Sequence, residues 1–333
     1  MKNPDQRSGL LLVNREDLKV MEQKQVKKML VVGAGVMGHS IAQVFANAGF
    51  SVGLVDVDQK VLDRAMGLID SNLNTLVDYG KISSDEVPPI LSRITPTTDL
   101  SRMAGDADFI VEVVPENPEL KKKVFSQIEA SCSSEAVIAS NTSGLDIFSI
   151  AEAKRPERFI ITHFFAPAHI IPLVEVVPGP KTSPQIVSRV MELLKKSGKS
   201  PVQLKEFVPS FIVNRLQNVI GPAVMEMLEN GWANPEDIDR AVKLSLGIRL
   251  PIVGVVQTAD FNGLDTICEI FRGIGKESVF LEELVKQGYL GAKTSKGIYD
   301  YGGRSEAEIL KKRDMLFLKM LDYMKEINAF DPV

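Results

Sequence analysis

Cysteine and histidine are scarce here, with two of the first and three of the second in 333 residues. Cys132 and Cys268 lie far apart, with neither a C-x-x-C nor a zinc-ligand spacing. A disulfide framework is therefore excluded, and both read as buried or idle thiols of a reducing compartment. Without an H-E-x-x-H or clustered carboxylates, no dedicated metal site is expected. Charge of one sign is missing too. The chain carries 39 Lys and Arg against 43 Asp and Glu, a net charge of −4. Nucleic-acid binding needs a basic footprint, so no nucleic-acid partner is expected. Long hydrophobic runs are absent. The patch Leu10 to Val13 is too short for a signal-peptide core or a membrane span. Phe211 to Met227 is broken by Asn214, Arg215, Gln217 and Asn218, the mark of a buried helix. The expectation is a cytoplasmic protein with no membrane partner.

What is present is an ordinary core, 44% hydrophobic and 25% charged, on a chain longer than one core usually fills. Two domains are expected. The organising stretch is Met29 to Asp58. An apolar run stops at Gly33, and Gly33, Gly35 and Gly38 form G-x-G-x-x-G. A helix-period segment carries Ile41, Val44, Phe45 and Ala48 on one face and closes at Gly49. A second β-branched run, Ser51 to Val55, delivers Asp56. Each part has a physical task. Gly33 allows the tight turn, Gly35 lets backbone approach a pyrophosphate, and Gly38 lets helix and strand pack closely. Free N–H groups at the helix start face the phosphates. Asp56 can accept both ribose hydroxyls. Its charge repels a 2′-phosphate and no arginine follows, so the expected cofactor is NAD rather than NADP. The glycine motif alone is weak; its strand, helix and acid make it specific.

Residues 1–28 form a polar extension, helical over Arg15 to Lys27. Helical spacing recurs at Val61 to Tyr79, Ser83 to Ser92, Pro118 to Ser131 and Ser183 to Lys195. Strands are expected at Phe109 to Val114, Ala136 to Ala139, Phe159 to Thr162, Leu173 to Val177 and Pro201 to Leu204. Strands alternating with helices imply a parallel sheet wrapped on both faces, an α/β Rossmann-type doubly wound sheet over residues 29–206. Beyond Phe207 only helix-period segments remain: Phe211 to Leu228, Pro235 to Leu244, Leu264 to Phe271, Val279 to Lys286 and Glu306 to Lys325. Residues 207–333 should form an all-helical C-terminal domain.

A hydride acceptor calls for an acid/base group. His163 closes the strand FIIT, and open α/β sheets put their sites at the C-terminal ends of parallel strands. Histidine titrates near neutral pH and can exchange a proton at each turnover. Glu175, twelve residues on, sits in the apolar run LVEVV, where an unpaired carboxylate is costly. Pairing the two resolves that cost and fixes the ring's tautomer. A structural histidine at a strand end is the plainer alternative. His169 lacks an evident partner, and His39 lies at the helix start beside the phosphates; neither is expected to be catalytic.

The segments VVGAGVMGHSIA, VEVVPEN, ASNTSGLDI, RPERFIITHFFAPAHIIPLVEVV, FIVNRL, EDIDRAVKLSLG, NGLD and LGAKTSKGIYDY occur in order from residue 31 to 301. On them the chain resembles the L-3-hydroxyacyl-CoA dehydrogenase family in its monofunctional, 3-hydroxybutyryl-CoA dehydrogenase-like form. The resemblance implies NAD-dependent oxidation of a (3S)-3-hydroxyacyl-CoA to the 3-oxoacyl-CoA, within fatty acid metabolism. It makes His163 the base and Glu175 its orienting partner. Ser143 would lie by the substrate oxygen and nicotinamide, and Asn214 would hydrogen-bond the substrate carbonyl region. Glu116 and Lys121 would touch the nicotinamide side of NAD, and Lys293 would reach the cofactor from the second domain. The family's site lies in a cleft between domains, and its helical domain usually forms a homodimer.

Plainer roles stay open. Ser143 could cap the turn beginning at Leu145. Asn214 could pair with backbone, and Lys121 and Lys293 could be solvated. Three departures from the family pattern stand out. HFFNP is HFFAP here, with Ala166 in place of asparagine. The G-x-x-M-G-P region is GIRLPIVGVVQ, Gly247 to Gln257. In the helix after Asp58, basic toward CoA phosphates in relatives, the stretch from Arg64 to Lys81 is basic here only at those two residues, whereas phosphate recognition normally leaves Arg or Lys. That scarcity supports a second reading, a dehydrogenase of a free β-hydroxy acid of the gulonate or carnitine type. A third, a non-catalytic NAD-binding protein, is opposed by the presence of both His163 and Glu175.

Overall fold

The computed structural model describes residues 26–331. Apart from Val26 to Lys28, the expected polar extension and its helix lie outside the described residues. The chain divides into two compact units, the first ending at Asn218 and the second beginning at Val219.

The first unit is built on eight strands: β1 Lys28–Val32, β2 Ser51–Val55, β3 Ile94–Thr97, β4 Phe109–Glu112, β5 Val137–Ser140, β6 Phe159–Phe164, β7 Leu173–Pro178 and β8 Ser200–Gln203. Their order across the sheet is β3-β2-β1-β4-β5-β6-β7-β8. Its helices are α1 Gly38–Asn47, α2 Gln59–Asp78, α3 Val87–Ser92, α4 Leu100–Asp106, α5 Pro118–Ser131, α6 Ile147–Ile150 and α7 Pro184–Lys196. Alternate residues of a strand point to opposite faces. Met29 and Val31 accordingly join Ile41, Phe45 and Leu54 in one core, while Leu30 and Val32 join Phe125, Ile128 and Ile138 in another. A core on each face is what the unbroken apolar strands require.

Two expectations need correction. The sheet is not wholly parallel, because β7 runs antiparallel to β6, with His163 directly opposite Glu175. The segment between them is a short loop with no helix long enough for a right-handed crossover, so the chain must turn back on itself. β3 and α4 were not expected. β3 pairs only with β2, and its Pro96 is tolerated because an edge strand has one unpaired side.

α8, Val213–Glu229, crosses the boundary between the units. It starts two residues later than expected because Ser210 and Phe211 both have positive φ, 66° and 52°. The second unit continues with α9 Pro235–Leu244, α10 Leu246–Asn262, α11 Leu264–Gly273, α12 Val279–Lys286 and α13 Glu306–Glu326. No strand occurs among its described residues. The unusual segment Gly247 to Gln257 is helical, within α10, with a break at Gly254 (φ 64°, ψ −173°). Asp260 is the polar anchor of this unit. Fully buried, it accepts the N–H groups of Ile298 and Tyr299 at 2.8 and 2.9 Å and the Tyr301 hydroxyl at 3.0 Å. The loop carrying GAKTSKGIYDY is pinned to α10 by those bonds. No single helix among the described residues is long and apolar enough to cross a membrane.

Candidate active site

A cleft of about 1000 Å³ opens at the C-terminal ends of β1, β2, β4 and β5. Gly33, Gly35, Asp56, Glu116, Asn141 and Ser143 are on its wall. The three motif glycines earn their places differently. At Gly33, φ is 107° and a Cβ would stand 2.8 Å from the Val113 carbonyl oxygen. At Gly38 a Cβ would collide with the Gly33 carbonyl at 1.8 Å. Both are therefore demanded by the fold itself. At Gly35 a Cβ would meet nothing within 4 Å, so its bareness serves the cleft, not the packing. Asp56 ends the second strand and steadies the turn, accepting the Ala34 N–H at 2.8 Å and the Asp58 N–H at 3.3 Å. A bare backbone at a helix start, a carboxylate at the next strand end and a cleft of that volume together fit a dinucleotide.

His163 and Glu175 meet as cross-strand neighbours. The imidazole Nδ1 is 2.9 Å from Glu175 Oε2, and both side chains are buried. The other oxygen, Oε1, accepts the backbone N–H groups of Ile212 and Val213, each at 2.9 Å. Those donors exist because α8 begins there, leaving its first N–H groups without intrahelical partners. Burial pushes the Glu175 carboxyl up, but the His163 hydrogen bond and the two N–H groups outweigh it and hold it below its ordinary value. A carboxylate accepts only, so Nδ1 is the donor of this pair, and in the neutral ring Nε2 is the acceptor. Phe165 and Phe211 flank the ring, with centroids 4.5 and 5.4 Å away. His163 is not part of the cleft wall described above.

Ser143 is exposed on the cleft wall. Its N–H donates to Glu116 at 2.8 Å, and its carbonyl accepts from the Asn214 side-chain amide at 3.1 Å. Asn214 is thus committed to backbone through its NH₂ group. The capping role open to Ser143 falls instead to Thr142, whose hydroxyl accepts the N–H groups of Gly144 and Leu145. Burial raises the Glu116 carboxyl, yet the Thr142 hydroxyl, the Lys121 ammonium and the Ser143 N–H together hold it low. Lys121 is buried, with its ammonium on Glu112 (2.8 Å), Glu116 (3.1 Å) and the Val114 carbonyl (3.2 Å). In the second unit, Lys293 pairs with Asp265 at 2.7 Å.

Four residues that sequence reasoning passed over, Glu112, Ser140, Asn141 and Phe211, belong to this constellation. Glu112 accepts from Lys121 and from Ser140, and the Asn141 side chain accepts the Phe164 N–H at 2.7 Å, beside His163. Phe211 completes the set. The signal for Glu112 was an acid in an apolar strand, the same clue that singled out Glu175. Nearby, Ala166 is exposed, and Lys199 donates to the Ala168 and Ile171 carbonyls of the loop between β6 and β7. Burial brings the Lys199 ammonium down to about 8. His169 is half-buried, its Nδ1 without a hydrogen-bond partner. No group of three or more potential metal ligands occurs among the described residues.

Comparison with known proteins agrees with this geometry. Residues 28–207 match the NAD binding domain of 3-hydroxyacyl-CoA dehydrogenase, and residues 211–301 match its C-terminal domain. The chain is 39% identical over 284 residues to a probable 3-hydroxybutyryl-CoA dehydrogenase of Deinococcus radiodurans, covering 82% of this chain and 100% of that one. It is 36% identical over 294 residues to the 3-hydroxyadipyl-CoA dehydrogenase of Escherichia coli, covering 85% of this chain but only 61% of that protein's length. The solved 3-hydroxyacyl-CoA dehydrogenase of Archaeoglobus fulgidus superposes with a TM-score of 0.74 at 30% identity, covering 90% of this chain and 99% of that one. The chain therefore belongs to the 3-hydroxyacyl-CoA dehydrogenase family of NAD-dependent oxidoreductases.

Proposed function

We propose that this protein oxidises a (3S)-3-hydroxyacyl-CoA to the 3-oxoacyl-CoA, with His163 as general base and Glu175 as its orienting partner. The observation that carries the reading is the buried His163–Glu175 contact of 2.9 Å at the C-terminal edge of the sheet. NAD, when bound, supplies the hydride acceptor. Nε2 of His163 takes the hydroxyl proton of the substrate. Glu175, kept ionised by its three donors, holds the ring in the productive tautomer and stabilises the imidazolium that results. Phe165 and Phe211 keep water off the ring. The Ser143 hydroxyl and the second amide hydrogen of Asn214, the first being held by the Ser143 carbonyl, are the donors for the substrate oxygen, where preorganised dipoles assist the reverse step. Gly35 and Asp56 hold the adenosine half of the cofactor.

Acetoacetyl-CoA with NADH is the direct assay. Turnover is expected in the native protein, and His163→Ala should lower kcat by about a hundredfold or more. Unchanged turnover in that variant would remove His163 from the chemistry. A second reading keeps the pair and exchanges the substrate for a free β-hydroxy acid. One feature favours it: the exposed side of α2 carries Asp63, Asp70 and Asp78 against Lys60 and Arg64. Inactivity toward acetoacetyl-CoA, alongside turnover of a free hydroxy acid, would establish it in place of the first. We further infer a homodimer through the helical unit, whose exposed apolar residues include Val219, Val255, Val256 and Leu318.

A further inference from the structure

The Glu112 carboxylate is fully buried at the end of β4, a site where an apolar residue would be cheaper to desolvate. The carboxylate has three contacts, and those with Lys121 and Ser140 both lead toward one short segment. Oε1 accepts the Val114 N–H and the Lys121 ammonium, both at 2.8 Å. Oε2 accepts the Ser140 hydroxyl at 2.6 Å, and that hydroxyl oxygen in turn accepts the Thr142 N–H at 3.2 Å. The same ammonium reaches Glu116 at 3.1 Å, and Glu116 accepts the Thr142 hydroxyl at 2.5 Å and the Ser143 N–H at 2.8 Å. Two branches thus leave Glu112, one through Ser140 and one through Lys121 and Glu116. They close again on Thr142 and Ser143.

We propose that Glu112 is a positioning residue for the active site: it acts through Lys121 and Ser140 to hold Glu116 and the Ser143 backbone in place on the cleft wall. The inference rests on the dehydrogenase reading above for what Ser143 then does. It also reassigns Lys121. An ammonium enclosed by two carboxylates and a carbonyl serves the wall of the cleft rather than the cofactor directly. A half-satisfied buried network is worse than none, so the arrangement is all or nothing. Without the Glu112 charge, Glu116 is the one carboxylate left on Lys121, which draws it inward, away from the Ser143 N–H.

The test is Glu112→Gln, which keeps the shape and one acceptor oxygen while removing the charge and turning the other oxygen into an NH₂ donor, with Glu112→Ala as the severer case. Activity is expressed per mole of NADH-binding sites, so that misfolded protein does not count. In Glu112→Gln, kcat with acetoacetyl-CoA should fall about tenfold or more, with KM for both substrates and the Kd for NADH within about threefold of native. Amide hydrogen exchange at Thr142 and Ser143, measured without ligands, should quicken while the amides of β1 keep their protection. A kcat within about twofold of native overturns the proposal. So does a loss of turnover that only tracks the loss of NADH-binding sites, the mark of an ion pair serving folding alone. If the native protein does not turn over acetoacetyl-CoA, yet these amides lose protection in the variant, the clamp on Ser143 is supported and the proposed function alone fails.

Discussion

Glu175 shows how one side chain is shared between folding and chemistry. Its two oxygens accept from an imidazole and from two N–H groups at the start of α8, so the same carboxylate satisfies a helix start and, in the proposed mechanism, orients the base. Its native value lies below the ordinary 4.5. The sign of the linkage follows from that. Between the two values the unfolded chain binds a proton and the native one does not, so stability falls as the solution is acidified. The native protein's advantage over Glu175→Gln should therefore be full at pH 7 and shrink as the pH is lowered past 4.5. Thermal unfolding across pH 3 to 7 checks this, and a pH-independent difference would contradict it. At neutral pH the same variant should lose about a hundredfold or more in kcat, because Nδ1 no longer faces an anion. A variant that keeps native turnover would separate Glu175 from the base.

At the scale of the element, the turn from β1 to α1 separates structure from binding within six residues. Gly33→Ala would force a side chain onto a positive φ and against the Val113 carbonyl. It should destabilise the protein by about 1–3 kcal/mol. Gly35→Ala adds a methyl to open space, so its stability should stay within about 0.5 kcal/mol of native. Its Kd for NADH should nonetheless rise about tenfold, or 1.4 kcal/mol. Paired denaturant titrations and NADH fluorescence read both quantities. Equal losses of stability in the two variants would mean that Gly35, too, is a packing residue. The antiparallel pairing of β6 with β7 is the other decision made at this scale. A parallel strand would have carried Glu175 to a different register, and only the reversal places it opposite His163.

For the molecule as a whole, the two units show different surfaces. The first unit buries most of its apolar residues in two cores either side of the sheet, with Val36, Val57 and Ile170 among those left exposed. Helices of the second leave Val219, Ile220, Val255, Val256, Met315 and Leu318 exposed. That number of exposed apolar side chains is the basis for the proposed homodimer. Sedimentation at micromolar concentration should give the mass of two chains, and the melting temperature should rise with protein concentration, since association stabilises the native state by mass action. A single-chain mass throughout that range would contradict a homodimer.

Much of this was legible in residues 29–58, because a nucleotide-binding turn is local. Strand, glycines, helix and acid follow one another within thirty residues, and each obeys a short-range steric or periodic rule. The pairing of His163 with Glu175 was legible for a related reason: a buried acid demands a partner, and the histidine was nearby. The same rule applied to Glu112, but its partner Lys121 looks like any surface lysine in a charged helix, and nothing in the sequence shows that it turns inward. The edge strand β3, the reversal at β7, the late start of α8 and the inward anchor Asp260 were also hidden. Each depends on what stands across a gap of many residues. Sequence by itself determined the fold class and the pairing of His163 with Glu175, since periodicity, glycine sterics and the cost of a buried charge act along the chain, and its ordered segments carried the family resemblance. Tertiary structure decided which face each polar group meets: that two amides close on Glu175, that Lys121 is enclosed, and that Glu112 stands behind Ser143. Hydrogen bonds need both partners within about 3 Å, and only the folded chain brings distant residues that close.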